Sequence, residues 1–190
     1  GDRLYLNITN SCTLECVFCP KNRGTYRLGE QDLELHHRPQ ADEIIAAVPD
    51  PAQYAQVVFS GFGEPTLRLN VLLEVARALK TRGGRVRVDT DGLANLVHDR
   101  NVLESMTGVV DALSISLNAQ DESTYEYYCR PNLPGSYQAM LAFLHQSPRH
   151  LPEVTATAID GLRGVDIDAC RRIARDAGVG FRRRSLDRID

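Results

Sequence analysis

Lysine is nearly missing from this chain: Lys21 and Lys80 are its only two, while arginine is plentiful. Arginine's planar fork suits bidentate recognition of carboxylate and phosphate, but a genomic bias accounts for most of such a preference. An excess of positive charge is also missing. The net charge of -3 gives no bulk attraction to nucleic acid and leaves only a local patch for that purpose. No apolar run reaches transmembrane length, and no signal-peptide pattern opens the chain. The five cysteines lack the even spacing of a small disulfide framework, so a reducing compartment, the cytoplasm, is expected.

What is present is ordinary for a globular protein: 190 residues, 43% hydrophobic and 25% charged. That length builds one domain with a sizeable core, taken as residues 1–190. Asp2 and Arg3 open directly onto the first strand signal, so the gene product is expected to begin upstream of Gly1.

Strand and helix signals alternate. Leu4 to Thr9 reads as a strand, Ala41 to Val48 as a short helix ended by Pro49 and Pro51, and Gln56 to Ser60 as a strand. Leu69 to Lys80 is an amphipathic helix with Leu72, Val75, Ala76 and Leu79 on its apolar face, ended at Gly83-Gly84. Arg85 to Asp89 is a strand and His98 to Met106 a helix. Val109 to Leu117 is a strand with Leu113, Ile115 and Leu117 on one face and Ser114, Ser116 and Asn118 on the other. Helices at Asp121 to Tyr128 and Tyr137 to Gln146, a strand at Val154 to Ile159, a helix at Asp166 to Ala177 and a strand at Val179 to Arg183 complete the order. Lys21 to Gln40, broken at Gly24 and Gly29, reads as a long loop with a short hairpin; loops of that length are usually functional or mobile. Such an order predicts an α/β fold, a parallel sheet covered by helices. Chemistry in such folds gathers beyond the C-terminal strand ends.

Three of the cysteines, Cys12, Cys16 and Cys19, lie within eight residues in a loop spanning 10–24. Thiolates favour iron–sulfur and zinc over hard cations. Three thiols can hold three corners of a [4Fe–4S] cube and leave the fourth iron open, which suits catalysis as an open zinc position does. A structural zinc site completed by His36 or His37 is the competing chemistry. Gly61-Phe62-Gly63-Glu64-Pro65 follows the second strand: glycine admits close backbone approach, and Glu64 offers an anionic acceptor for an ammonium. The plainer reading of that loop is a tight turn with a surface glutamate.

The spacing C-x3-C-x-(aromatic)-C, with Phe18 at the aromatic position, resembles the radical S-adenosylmethionine (radical SAM) superfamily. The likeness runs from Leu4 to about Arg184. Within the superfamily the chain resembles the short proteins associated with TatD-type nucleases, through Asn7-Ile8-Thr9-Asn10, the run from Gly61 to Arg68, and Ser114 to Asn118. The resemblance implies a partial (β/α)6 barrel. It implies that Cys12, Cys16 and Cys19 ligate a [4Fe–4S] cluster, that Phe18 lies near the adenine, and that Gly61, Phe62, Gly63 and Glu64 meet the methionine amine. The superfamily's Gly-Gly-Glu-Pro departs here in that Phe62 separates the glycines. Ser114, Ser116 and Asn118 are expected at the ribose and carboxylate, with Asp160 a weaker candidate.

The same resemblance implies reductive cleavage of SAM and hydrogen abstraction from a substrate, with an external electron donor such as flavodoxin or ferredoxin. Asp89 and Asp91 mark the end of the third strand, where a monovalent cation would suit their oxygens; a helix-capping aspartate is the alternative. Arg130, Arg182 and Arg184 are candidate carboxylate or phosphate binders on the substrate. Arg182 and Arg184 are expected on one side and Arg183 on the other. Cys129 and Cys170 read as buried packing, with a radical relay the alternative for Cys129, and are too few and too separated for an auxiliary cluster. The alternatives are a 7-carboxy-7-deazaguanine synthase-like enzyme, a glycyl-radical-activating enzyme, and a non-catalytic iron–sulfur electron-transfer module.

Overall fold

Alternation sets the architecture. In β5 (Val86–Thr90), Val86, Val88 and Thr90 are buried while Arg87 and Asp89 are half-buried. In β6 (Ala112–Ser116), Leu113 and Ile115 point one way and Ser114 and Ser116 the other. These strands join β1 (Arg3–Leu6), β4 (Gln56–Phe59), β7 (Glu153–Asp160) and β8 (Gly180–Ser185) in one six-stranded sheet, ordered β1-β4-β5-β6-β7-β8 and parallel throughout. The computed structural model describes residues 2–28 and 31–185.

One face of the sheet is apolar and buries against helices. Leu72, Val75, Ala76 and Leu79 of α2 (Leu69–Thr81) are inaccessible to solvent, as are Met140, Phe143 and Leu144 of α6 (Ser136–Gln146) and Cys170 and Ala174 of α7 (Ile167–Asp176). Burying a leucine- or phenylalanine-sized side chain contributes about 1.5–3 kcal/mol each, so this seam holds the helices to the sheet. Cys170 is packing, as expected. α1 (Ala41–Ala47) lies against α2 and opens with a capping box between Gln40 and Glu43.

The other face is polar. Parallel sheets usually bury apolar residues on both faces. Here Arg87, Asp89, Ser114, Ser116, Thr157 and Arg182 line the concave side. The strand order is linear, with β1 and β8 at the two edges. The result is a partial (β/α)6 barrel whose lumen is an open trough.

Other details depart from expectation. The helix read from His98 to Met106 is two, α3 (Ala94–His98) and α4 (Leu103–Met106). Asp99 turns left-handed between them, at φ 48°, and the Asn101 side chain accepts the Leu103 N–H at 3.2 Å. The long loop does carry a hairpin, β2 (Arg27–Leu28) against β3 (Gln31–Asp32); the break expected at Gly29 lies outside the described residues. No helix among the described residues is long and apolar enough to cross a membrane.

Candidate functional site

The cysteine loop leaves the C-terminal end of β1 and is tied to two other strand ends and to the end of a helix. Glu64 N–H donates to the Ser11 carbonyl at 2.8 Å, fixing the loop after β4. The Thr13 hydroxyl donates to the Asp91 carboxylate, fixing the turn after β5. The end of α5 (Glu122–Cys129) supplies the third tie: Glu15 N–H donates to the Cys129 carbonyl at 3.1 Å and Val17 N–H to the Tyr128 carbonyl at 2.9 Å. From the long loop, the Leu33 and Leu35 carbonyls accept the side-chain amides of Asn7 and Asn10 at 2.8 and 3.0 Å. These ties explain why segments distant in sequence meet: all but the Thr13–Asp91 bond satisfy a main-chain group that would otherwise be left unpaired.

They meet around one cavity of about 190 Å3. Cys12, Cys16, Cys19 and Phe18 line it, with Gly61, Phe62, Gly63 and Glu64. Asp89, Asp91, Ser114, Ser116, Asn118, Arg182 and Arg184 line it too. Arg183 turns away, 3.3 Å from Asp160, as alternation predicts.

Glu64 is the most heavily bonded group of the site. Its Oε1 accepts Thr66 N–H at 2.9 Å, the Thr66 hydroxyl at 2.6 Å and the Thr90 hydroxyl at 2.9 Å; its Oε2 accepts Asp91 N–H at 2.7 Å. Burial, and then the neighbouring Asp91 charge, push the Glu64 carboxyl up to about 8, partly offset by these donors. Burial raises Asp91 as well. A carboxylate has about four lone-pair positions. Three donors crowd Oε1 and one reaches Oε2, so Oε2 keeps room for one more.

All three clustered thiols are raised. Burial is the largest cause for Cys12 and Cys19. For Cys16 it is the contact with the Cys129 thiol, followed by burial. Such thiols stay protonated until a metal displaces the proton. Among the described residues no three His, Cys, Asp or Glu side chains converge as ligands of one metal ion. His37 instead meets Glu43 at 3.0 Å, and His36 is exposed. A zinc site sharing His36 or His37 with the thiols is therefore not assembled. A cube asks for something else, one thiolate on each of three separate irons.

One feature of the cavity fits a polar ligand such as an amino-acid nucleoside beside such a cluster. Asn118, held at φ 59°, has a buried Oδ1 without a partner, while its amide N–H points to Cys129 Sγ at 3.5 Å. Gly63 passes so close to the cysteine loop that a Cβ there would sit 2.6 Å from the Ser11 carbonyl oxygen. Phe62 sends its ring away onto Tyr26, edge to face at 5.6 Å, so its bulk is absorbed by the long loop.

Some expected residues are elsewhere. Arg130 is exposed and does not line the cavity; its left-handed backbone (φ 46°) turns its carbonyl, not its guanidinium, to the cysteine loop. Asp89 already has a positive partner in Arg87 at 2.8 Å, where a monovalent cation was expected. Sequence reasoning passed over Arg87, Thr13 and Thr157. Arg87 was open to detection, two residues from Asp89 and hence on its face; Thr13 meets Asp91 only through the fold.

Comparison with known proteins agrees with this geometry. A curated cofactor-modifying protein for the tungsten-containing aldehyde ferredoxin oxidoreductase of Pyrococcus furiosus is 28% identical over 115 residues, 60% of this chain and 30% of its own. A probable dual-specificity RNA methyltransferase RlmN from Synechococcus is 26% identical over 171 residues, 84% of this chain and 45% of its own. The chain thus spans less than half the length of these relatives. Among solved structures, SuiB of Streptococcus suis bound to S-adenosylmethionine superposes over 98% of this chain and 41% of its own, with TM-score 0.73 at 12% identity. Methylornithine synthase (PylB) does so over 97% and 53%, with TM-score 0.66 at 14% identity. At such identities the likeness is one of fold. The model of the Radical SAM superfamily matches residues 6–177, and the chain belongs to that superfamily.

Proposed function

We propose that this chain is the catalytic core of a radical SAM enzyme. In this reading Cys12, Cys16 and Cys19 hold a [4Fe–4S] cluster, and the cavity beside them holds SAM. The observation that carries the reading is the direct tie between the cysteine loop and the Glu64 loop across one shared cavity. Bound there, the reduced cluster would supply the electron that cleaves SAM and starts hydrogen abstraction from a substrate.

The chain's own residues orient and shield. Glu64 Oε2 accepts the methionyl ammonium in its remaining position, a charge-assisted bond. The main chain at Phe62 and Gly63 offers carbonyls alongside. Asn118 Oδ1 accepts a hydroxyl or amine of the nucleoside, which ends its unpaired state, and Ser116 stands beside it on the same wall. Phe18 provides an apolar surface for the adenine. The three thiols, Cys16 buried and Cys12 and Cys19 half-buried, give up their protons as they bind iron, so metal uptake is coupled to proton release.

The finer parts of the reading rest on sequence motifs and on superfamily chemistry. These are the likeness to the TatD-associated group, a single domain over 1–190, a cytoplasmic setting and a flavodoxin- or ferredoxin-type reductant.

The test is anaerobic reconstitution followed by titration with SAM and reduction. About four irons per chain, binding of SAM, and release of 5'-deoxyadenosine on chromatography are expected. Cys16→Ser should lower the iron content and abolish the product. A colourless zinc protein without product would overturn the reading, and a full cluster without affinity for SAM would favour a passive electron-transfer module.

A further inference from the structure

Below the cavity of the cysteines lies a second one of about 170 Å3, at the N-terminal ends of the strands. Arg182 lines both. The lower cavity also takes Arg3, Arg87, Gln56 and Glu153. Its two carboxylate neighbours are already committed: Asp89 to Arg87 at 2.8 Å, and Glu153 to Arg85. Among the described residues Arg3 and Arg182 have no carboxylate within ion-pair distance. Partial burial and the Arg87 and Arg3 charges lower Arg182, against the opposing pull of Asp89. A second, independent sign comes from Gln56, whose Oε1 is buried without a hydrogen-bond partner. Such an atom is costly unless something donates to it.

We propose that the substrate carries a carboxylate or phosphate that seats on Arg182, over the lower cavity between Arg3 and the Arg87–Asp89 pair. This rests on the upper cavity being the SAM site. Register supplies the dimension. Ser116 pairs with Thr157, and Thr157 with Arg182, so Arg182 stands two strands across from Ser116, about 10 Å away. That separation leaves room for a small organic acid or phosphate ester with its anion on the arginine and its reacting carbon toward the SAM wall. A planar guanidinium binds such an anion through two parallel N–H bonds. Gln56 accepts a hydroxyl or amine of the same molecule.

The experiment uses the cluster-free chain, so that it reads anion binding apart from SAM chemistry. Inorganic phosphate is titrated and followed by phosphorus NMR line width; malonate is then tested as a competitor and by calorimetry. Wild type is expected to bind at least one of the two, and the tighter one tells phosphate from carboxylate. Arg182→Gln should weaken binding tenfold or more, and Arg182→Lys should restore only part, since the charge returns without the fork. Arg182 is exposed on an edge strand, so both variants should melt with wild type. A basic cavity outside the trough, lined by Arg38, Arg68 and Arg100, is the competing anion site. Loss of binding in Arg38→Gln with none in Arg182→Gln would overturn the proposal, as would no response to either probe. SAM affinity and cleavage, measured separately on the reconstituted protein, report on the SAM-site reading alone.

Discussion

Glu64 Oε2 accepts the backbone N–H of Asp91 at 2.7 Å, binding the loop after β4 to the turn after β5. Because its other oxygen takes three further donors, Glu64 is both the anchor of the site and its candidate ammonium acceptor. Glu64→Gln is therefore expected to do two things. One oxygen becomes an NH2 facing a donor, and the unpaired group costs about 1–3 kcal/mol, visible as a lower melting temperature. SAM affinity should fall at least tenfold, because a neutral amide replaces the anion. Normal SAM affinity in a stable Glu64→Gln protein would remove Glu64 from the binding site.

The pH dependence follows from the same carboxyl. In the folded, ligand-free chain its proton is held up to about 8, against an ordinary value of 4.5, with burial as the largest cause and the Asp91 charge next. Between those values the native state binds the proton that the unfolded chain has released. Unfolding therefore releases that proton, so stability falls as pH rises through this window. Asp91, also raised by burial, acts in the same direction. Denaturant midpoints of the cluster-free protein should decrease from pH 5 to pH 8, and SAM, which favours the ionised carboxylate, should flatten the decline. A midpoint rising over that range in the absence of SAM would contradict the assignment.

Gly63 has no space for a side chain. A Cβ there would meet the main chain of Thr9 and the Ser11 carbonyl oxygen, the latter at 2.6 Å, and neither is a flexible side-chain end that could swing aside. Gly63→Ala must push the cysteine loop off the Glu64 loop, with an overpacking cost of about 1–3 kcal/mol. Reconstituted Gly63→Ala should take up less iron than wild type although every cysteine is intact. Full iron content in that variant would show that the contact does not shape the cluster loop.

Much of this was legible from the chain because the governing signals are local. A two-residue period decided which side of β6 carries Ser114 and Ser116 and sent Arg183 away from Arg182 and Arg184. The cysteine spacing and the glycine–glutamate loop were short motifs. What escaped depends on backbone turns and on tertiary proximity. Arg130 looked like a substrate ligand by residue type, yet a left-handed turn at the end of α5 presents its carbonyl instead. Thr13 and Asp91 are 78 residues apart, and no local pattern announces their bond. The Arg87–Asp89 pair needed only the recognition that residues two apart on a strand share a face.

Cys129 gives the last prediction. It is fully buried at the end of α5, with its thiol against Cys16 and within 3.5 Å of the Asn118 amide. Proximity alone would allow it as a fourth ligand, but it does not line the cavity that Cys12, Cys16 and Cys19 share. If Cys16 holds the cluster as proposed, a thiol against it acts on the cluster through that sulfur, where hydrogen bonds tune reduction potential. Cys129→Ser should therefore keep the wild-type iron content and change the cluster's midpoint potential, since a hydroxyl donates more strongly than a thiol. Cys16→Ser should lose iron. Equal iron loss in both variants would make Cys129 a ligand, and an unshifted potential in Cys129→Ser would reduce it to packing.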